Sequence, residues 1–127
     1  MKRDMDLVRD ILLKVEGSGA YCDLMQEMLP QDSNGSYPQE LFEKHLYHAM
    51  LLEQAGFIKG SADSSGYMIE GITWQGHEFL DAIRDPEMWR KTKAGAKEIG
   101  SAGVGILWEI AKGYAKQMAK DKLGLPI

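Results

Sequence analysis

The sequence is poor in cysteine and proline and contains no long apolar run. Because Cys22 is the single cysteine, an internal disulfide is excluded, which agrees with a reducing compartment. Apolar runs such as Ile11-Leu12-Leu13 fall far short of the roughly 18 residues that a membrane span needs. The first ten residues, MKRDMDLVRD, contain acids where a signal peptide has an apolar core. We therefore expect a cytoplasmic protein in which Cys22 is a small buried residue.

Basic residues are scarce in the first two thirds of the chain. Residues 1–83 contain 6 Lys and Arg against 14 Asp and Glu, whereas residues 84–127 contain 9 against 5. The net charge of −4 therefore combines an acidic part with a basic one. The candidate nucleic-acid contacts are the basic residues that begin the last third: Arg84, Arg90, Lys91, Lys93 and Lys97. The competing interpretation is that these five residues are ordinary charged side chains on a solvated surface and bind no nucleic acid.

Apolar spacing predicts two helices in the first half of the chain. The first covers about Asp4 to Glu16, and Gly17 is its expected end. Residues 22–29, CDLMQEML, fit either a short strand or a helical turn, and QDSNGSY after them is typical of a loop. The second helix begins with Pro38 in its first turn and ends at Gly56.

The second helix has one apolar side and one polar side at a spacing of 100° per residue. Its expected core face comprises Leu41, Phe42, His45, His48, Ala49, Leu52 and Ala55. The polar side carries glutamates and Tyr47, and Leu46 and Met50 fall at its edge. Leu46, Tyr47 and Met50 are candidate contacts for a protein partner. Scattered apolar residues, or cover by another part of the chain, would explain the same pattern.

A β-hairpin follows and leads into another helix. Residues 57–59 are expected to pair with Tyr67–Ile72 across a turn formed by Gly60–Gly66, and Thr73 can cap the next helix. Helix, hairpin, helix is the order found in a winged-helix domain. We therefore predict an α+β, winged-helix-like fold with a helical extension after it. The expected domains are residues 1–85 and 86–127.

The extension is expected to carry oligomer contacts. Gly100–Gly105 has the composition of a hinge, and an amphipathic helix follows over Ile106–Leu123. The candidate contact residues lie on its apolar stripe: Leu107, Trp108, Ala111, Ala115 and Met118. Since this stripe is rich in alanine, packing against another helix is favoured over binding to a membrane surface.

The motifs that would indicate catalysis or a bound metal are missing from the sequence. His45 and His48 are spaced like a ligand pair, but no CxxC or HExxH accompanies them, and neutral core histidines are the better interpretation. No GxSxG is present, and GSAGVG lacks the Lys-Ser/Thr of a phosphate loop. We expect a non-enzyme without metal or cofactor.

Three blocks of sequence, MKRDMDLVRDILLKVE, YHAMLLEQAGFI and ITWQGHEFLDAIRDPEMWRKTK, occur in this order. Together they resemble a family of small bacterial proteins of unknown function that are often associated with phages and prophages. The resemblance covers about Met1 to Lys93 and implies a winged-helix-like fold, a cytoplasmic setting and a prophage origin. It brings no catalytic residues.

Two functions follow as hypotheses. The first is a non-catalytic interaction module, a prophage-encoded regulator that acts through protein contacts and forms homo-oligomers. The second is a DNA-binding winged-helix regulator that contacts phosphates through residues 84–97. The glutamates of the central helix disfavour the usual docking of a recognition helix on DNA, which ranks the protein-binding hypothesis first.

Overall fold

The computed structural model describes residues 2–19, 21–63, 66–100 and 104–124. Over these residues the protein has six helices and one three-stranded antiparallel sheet, so the predicted α+β class is confirmed. The chain divides into a first unit, residues 1–77, and a second unit, residues 78–127. The domain boundary expected from sequence, between residues 85 and 86, falls at the start of a helix and stays a prediction.

Helix α1, Met5–Gly17, begins at a side-chain cap and buries one apolar stripe. The Oδ1 atom of Asp4 accepts a hydrogen bond from the Leu7 N–H at 3.2 Å. The buried stripe is Met5, Leu7, Val8, Ile11, Leu12 and Val15. The helix ends at Gly17, as the sequence predicts, and the chain reverses two residues later at Gly19, where φ is 84°.

The segment after α1 contains both structures that its sequence allowed. Strand β1 is Cys22–Asp23, and helix α2, Leu24–Met28, follows without a break. Cys22 pairs with Ile69 in the antiparallel sheet. Because this pairing involves a residue 47 positions away, the local sequence could not decide between the two structures.

Helix α3, Gln39–Gln54, is the central helix of the first unit. Pro38 occupies the N-cap position with an extended backbone rather than the first turn, and Gly56 takes a φ of 80° beyond the C-terminal end. The buried residues are His45, His48, Ala49 and Leu52. Leu41 and Ala55 were expected in the core, but both are exposed because they lie in the first and last turns.

The sheet has the order β1-β3-β2, with β2 at Ile58–Asp63 and β3 at Gly66–Ile72. The expected turn over Gly60–Gly66 is too long, since pairing extends from Ile58↔Ile72 to Asp63↔Gly66. Gly60 lies in the strand at an irregularity of the register. A Cβ there would come within 2.6 Å of the Tyr67 ring, so this glycine serves packing and not the turn. Ser64 and Ser65, which the expected turn included, lie outside the described residues.

Thr73 joins the end of α3 to the start of α4, Trp74–Ile83. Its Oγ1 donates to the Gly56 carbonyl at 2.6 Å and accepts from the Gly76 N–H at 3.0 Å, which confirms the expected cap. Gly76 passes close to the backbone at Phe57, because an added Cβ would lie 2.0 Å from the Phe57 carbonyl oxygen. Phe79, Leu80 and Ile83 of α4 are buried.

The second unit is built on two helices that pack along each other, α5 at Pro86–Glu98 and α6 at Val104–Leu123. Asp85 caps α5 by accepting from the Met88 N–H at 2.9 Å. Gly95 allows close packing, since a Cβ there would lie 3.2 Å from the Tyr114 hydroxyl. Gly105 belongs to α6, which corrects the expected hinge, and residues 101–103 of that hinge lie outside the described residues. Across the described chain, none of the helices combines the length and the apolar character that crossing a membrane requires.

We expect Gly76→Ala to destabilise the protein strongly, because its methyl group would meet the Phe57 backbone, which cannot rotate away, as well as the Ile72 side chain. A loss of about 3 kcal/mol in the free energy of unfolding is the expected size. Urea denaturation measures it. Gly113→Ala is the matched control: Gly113 is also helical, nothing lies within 4 Å of its Cβ position, and this change should stabilise α6 by about 0.5–1 kcal/mol. Equal effects would contradict the packing argument.

Stability should fall in acid because of the contact between Asp4 and α3. The Asp4 carboxylate lies 3.0 Å from Lys44 Nζ, and hydrogen bonding to that ammonium lowers the pKa of Asp4. The stabilisation is therefore complete above the unfolded-state pKa of about 3.9 and is lost as pH falls through the lower folded-state value. Both side chains are more than a third exposed, so the contribution is at most about 1 kcal/mol.

Asp4→Asn separates this charge effect from helix capping, because asparagine caps helices about as well as aspartate. The variant should lose less stability than the wild type between about pH 5 and pH 2 in urea titrations. Asp10→Asn, an exposed change on the same helix, is the control. A wild-type pH profile in Asp4→Asn would show that the ion pair does not contribute.

Candidate interaction surfaces

His45 and His48 both use their ring nitrogens inside the fold. His48 is fully buried; its Nδ1 lies 2.7 Å from the Lys44 carbonyl and its Nε2 accepts from the Asp4 N–H at 2.7 Å. The Nδ1 atom is therefore the donor, and the imidazole is neutral. Nδ1 of His45 lies 2.8 Å from the Leu41 carbonyl. The expectation of hydrogen-bonded core histidines is confirmed, and the described residues contain no group of three ligands able to hold a metal.

Cys22 is a buried thiol with an acidic neighbour. Its Sγ–H donates to Glu27 Oε2 at 3.1 Å, and Ser18 donates to the same oxygen. Burial, and then the hydrogen bond to Glu27, raise the pKa of Cys22 to about 11. Because the thiolate is the nucleophilic form, this cysteine is chemically quiet at neutral pH.

The outward side of α3 presents apolar side chains among carboxylates. Met50 is 42% exposed, and Leu46 and Tyr47 are half-buried on the same side of the helix. Three exposed glutamates surround them: Glu40, Glu43 and Glu53. We call these six residues the α3 face. All three candidate partner contacts therefore lie together on one surface of the first unit.

The α3 face itself contains no lysine or arginine. Lys44 is the only Lys or Arg of α3, and Asp4 holds it at 3.0 Å. The β2–β3 hairpin contains one basic residue, Lys59, and two acidic residues, Asp63 and Glu70. Both α3 and the hairpin thus carry more acidic than basic residues, which disfavours contact with a polyanion.

Trp74 is an exposed aromatic residue that the sequence reasoning missed. Its side chain is 80% exposed, the highest value among the large apolar residues of the described chain. It follows Thr73, which is hydrogen-bonded to Gly56, so it lies at the C-terminal end of α3. The signal was present in the sequence, because Trp74 falls opposite Phe79, Leu80 and Ile83 at 100° per residue.

The candidate nucleic-acid contacts lie in different settings in the second unit. Arg84 pairs with Asp81 at 2.8 Å, and Arg90 pairs with Glu87. Lys93 lies 5.5 Å from the centre of the Trp89 ring. Arg90, Lys93 and Lys97 share one side of α5 at spacings of three and four residues, whereas Lys91 faces a groove. The structure therefore brings together three of the five residues.

The candidate oligomer contacts divide between the interior and the surface of the second unit. Leu107 and Ala111 are buried there. Trp108 is half-buried and lies 4.5 Å from Lys112 Nζ, while Ala115 and Met118 are exposed. Only the later part of the predicted stripe is therefore available to another chain.

A groove runs beside this exposed part of α6. Its volume is about 690 Å³, and its apolar lining is Ala82, Met88, Ala115, Met118, Ala119 and Leu123. Asp81, Asp85 and Glu87 lie on one rim, and Lys91 and Lys122 also border it. We call this feature the α6 groove. All of its residues belong to the second unit.

Comparison with known proteins identifies a family without assigning an activity. The model of the DUF2513 family, described as hypothetical protein, matches residues 2–103. An uncharacterized protein of Haemophilus influenzae is 36% identical over 101 residues, covering 76% of this chain and 80% of that protein. No solved structure matches. The family match includes the first unit and α5, and it ends where α6 begins. On these matches, the chain belongs to the DUF2513 family of hypothetical proteins.

Proposed function

We propose that the first unit is a winged-helix domain that binds a protein partner and catalyses no reaction. The element order α1-β1-α2-α3-β2-β3, with β3 in the middle of the sheet, supports this assignment. In such a domain α3 stands in the place of the recognition helix and the β2–β3 hairpin in that of the wing. Fold alone does not choose between a protein and DNA as the partner, so the choice rests on the surface.

The observation that carries the proposal is the chemistry of the α3 face. Met50 is 42% exposed among glutamates, and Lys44, the one cation of the helix, is paired with Asp4. Trp74, at the start of α4, adds a large exposed ring near the C-terminal end of α3. Exposed aromatic and methionine side chains contribute most to protein interfaces, whereas phosphate binding needs lysine and arginine.

The same chemistry describes the partner. The three glutamates of the α3 face would pair with lysine or arginine on a partner. Met50 and Trp74 would contact apolar side chains of that partner. A basic amphipathic helix satisfies both requirements, with its apolar stripe on Met50 and its cations towards the glutamates. The resemblance to phage-associated proteins fits a prophage-encoded regulator that acts on such a partner.

The second candidate function is DNA binding through α5. The arrangement of Arg90, Lys93 and Lys97 on one side of the helix favours it. Arg90 is already paired with Glu87, which reduces the charge that this surface offers to phosphate. We therefore rank this function below protein binding.

We expect binding of a partner captured from cells that naturally express the protein to depend on the α3 face and on the neighbouring Trp74. Met50→Glu and Trp74→Ala should each reduce capture by at least roughly tenfold, the effect of losing an interface hot spot. Ile99→Ser, an exposed apolar change at the C-terminal end of α5, should leave capture unchanged. Circular dichroism checks that all variants fold. The proposal fails if the captured protein is retained equally by Met50→Glu and Ile99→Ser.

Fluorescence anisotropy with random duplex DNA at low salt decides the second candidate. We expect no binding at micromolar protein, because the α3 face and the hairpin are both acidic. If DNA binds through α5, the affinity will fall steeply with salt, and Lys93→Glu with Lys97→Glu will abolish it while Met50→Glu will not. That result would replace the protein-binding proposal with the DNA-binding one.

A further inference from the structure

We infer that the α6 groove is the contact surface for a second copy of this chain, which pairs with the first through parallel α6 helices. This inference concerns the second unit only and does not rest on the proposed partner of the α3 face. It replaces the predicted contacts Leu107 and Ala111, which are buried within the unit, by a surface further along the helix.

The apolar stripe of α6 continues past the part that α5 covers. Leu107 and Ala111 are buried, and Ala115, Met118 and Ala119 extend the same side by a further two turns. With 13 residues, α5 is about 20 Å long, whereas the 20 residues of α6 span about 30 Å. The end of α6 consequently extends beyond α5. Met118 is 40% exposed and Leu123 is 70% exposed.

The shape of the α6 groove suits a helix. Ala115 and Ala119 have short side chains, so another helix can approach α6 closely between Met118 and Leu123. Lys91 and Lys122 also line the groove, but long lysine side chains cover apolar surface with their methylene groups while the ammonium stays in water.

The charges around the α6 groove are self-complementary. One rim carries Asp81, Asp85 and Glu87, and the opposite flank of α6 carries the exposed lysines Lys116 and Lys120. Asp81 and Glu87 already hold arginines, but a carboxylate accepts several hydrogen bonds and both remain exposed. A surface with both signs side by side is what a symmetric dimer needs, since each copy contributes the same patch.

The arrangement of the charges also selects the direction of pairing. Rotation by 180° about an axis parallel to α6 exchanges its two flanks, so the lysine flank of one copy meets the acidic rim of the other. An antiparallel pair would keep acid opposite acid. The helices are therefore expected to be parallel and in register, with Ala119 facing its own counterpart.

Light scattering coupled to size-exclusion chromatography tests the dimer. The wild type should be dimeric at roughly 100 μM, a concentration at which an interface with micromolar Kd is nearly saturated. Met118→Glu places a carboxylate in the apolar contact and should raise Kd at least roughly tenfold. Ile106→Glu is the matched control, because Ile106 is comparably exposed on the other side of α6 and its change should leave the dimer intact.

Cross-linking tests the direction. Under mild oxidation Leu123→Cys should form disulfide-linked dimers, since only a parallel pair brings the two copies of residue 123 together. Ile106→Cys should not, and Cys22 does not interfere because it is buried. A monomeric wild type, a dimer that Met118→Glu leaves unchanged, or a dimer without the Leu123→Cys cross-link would each overturn the inference. If the wild type is monomeric, the α6 groove does not bind a second copy, and a different protein becomes the alternative occupant.

Discussion

The contact between Asp4 and α3 is the interaction on which the first unit depends most. Asp4 caps α1 with its carboxylate, donates its N–H to the buried His48 ring, and pairs with Lys44. One residue thus starts a helix, attaches it to the central helix and satisfies a core imidazole. The same contact pairs the only cation of α3 with a carboxylate while leaving it partly exposed. A structural requirement of the core and the chemistry of the exposed face are therefore linked through one side chain.

The two units present surfaces of opposite charge, acidic in the first unit and basic in the second. The first unit presents apolar side chains among glutamates, whereas the second presents lysines and arginines, of which Arg84, Arg90 and Lys112 are held in exposed ion pairs. Since acidic and basic surfaces favour opposite partners, the two proposed contacts do not compete for the same kind of ligand. Binding to a basic partner by the α3 face and self-association through α6 can be combined in one chain. A dimer would then present two α3 faces and strengthen binding to any partner with repeated sites.

Most of the helices could be predicted because their signals are local. The apolar spacing of residues 5–17 and 39–54 and the caps at Asp4, Thr73 and Asp85 operate within a turn or two. Errors occurred where the deciding contact was distant. Gly60 looked like part of a turn but is a strand residue that makes room for the Tyr67 ring. The α3 face could be predicted in part. At 100° per residue, Leu46, Tyr47 and Met50 fall on or at the edge of the polar side of the helix.

The sequence by itself determined the α+β class, the hydrogen-bonded core histidines, the buried cysteine and the division of charge between the two parts of the chain. Periodicity and composition are sufficient for these, because each depends on residue type and local spacing. Only the tertiary structure decided that Cys22–Asp23 joins the sheet, that Lys44 is held by Asp4, and that Trp74 is exposed. It also decided which half of the α6 stripe is buried, since that depends on where α5 ends. These outcomes require contacts between residues far apart in the chain, which no local pattern encodes.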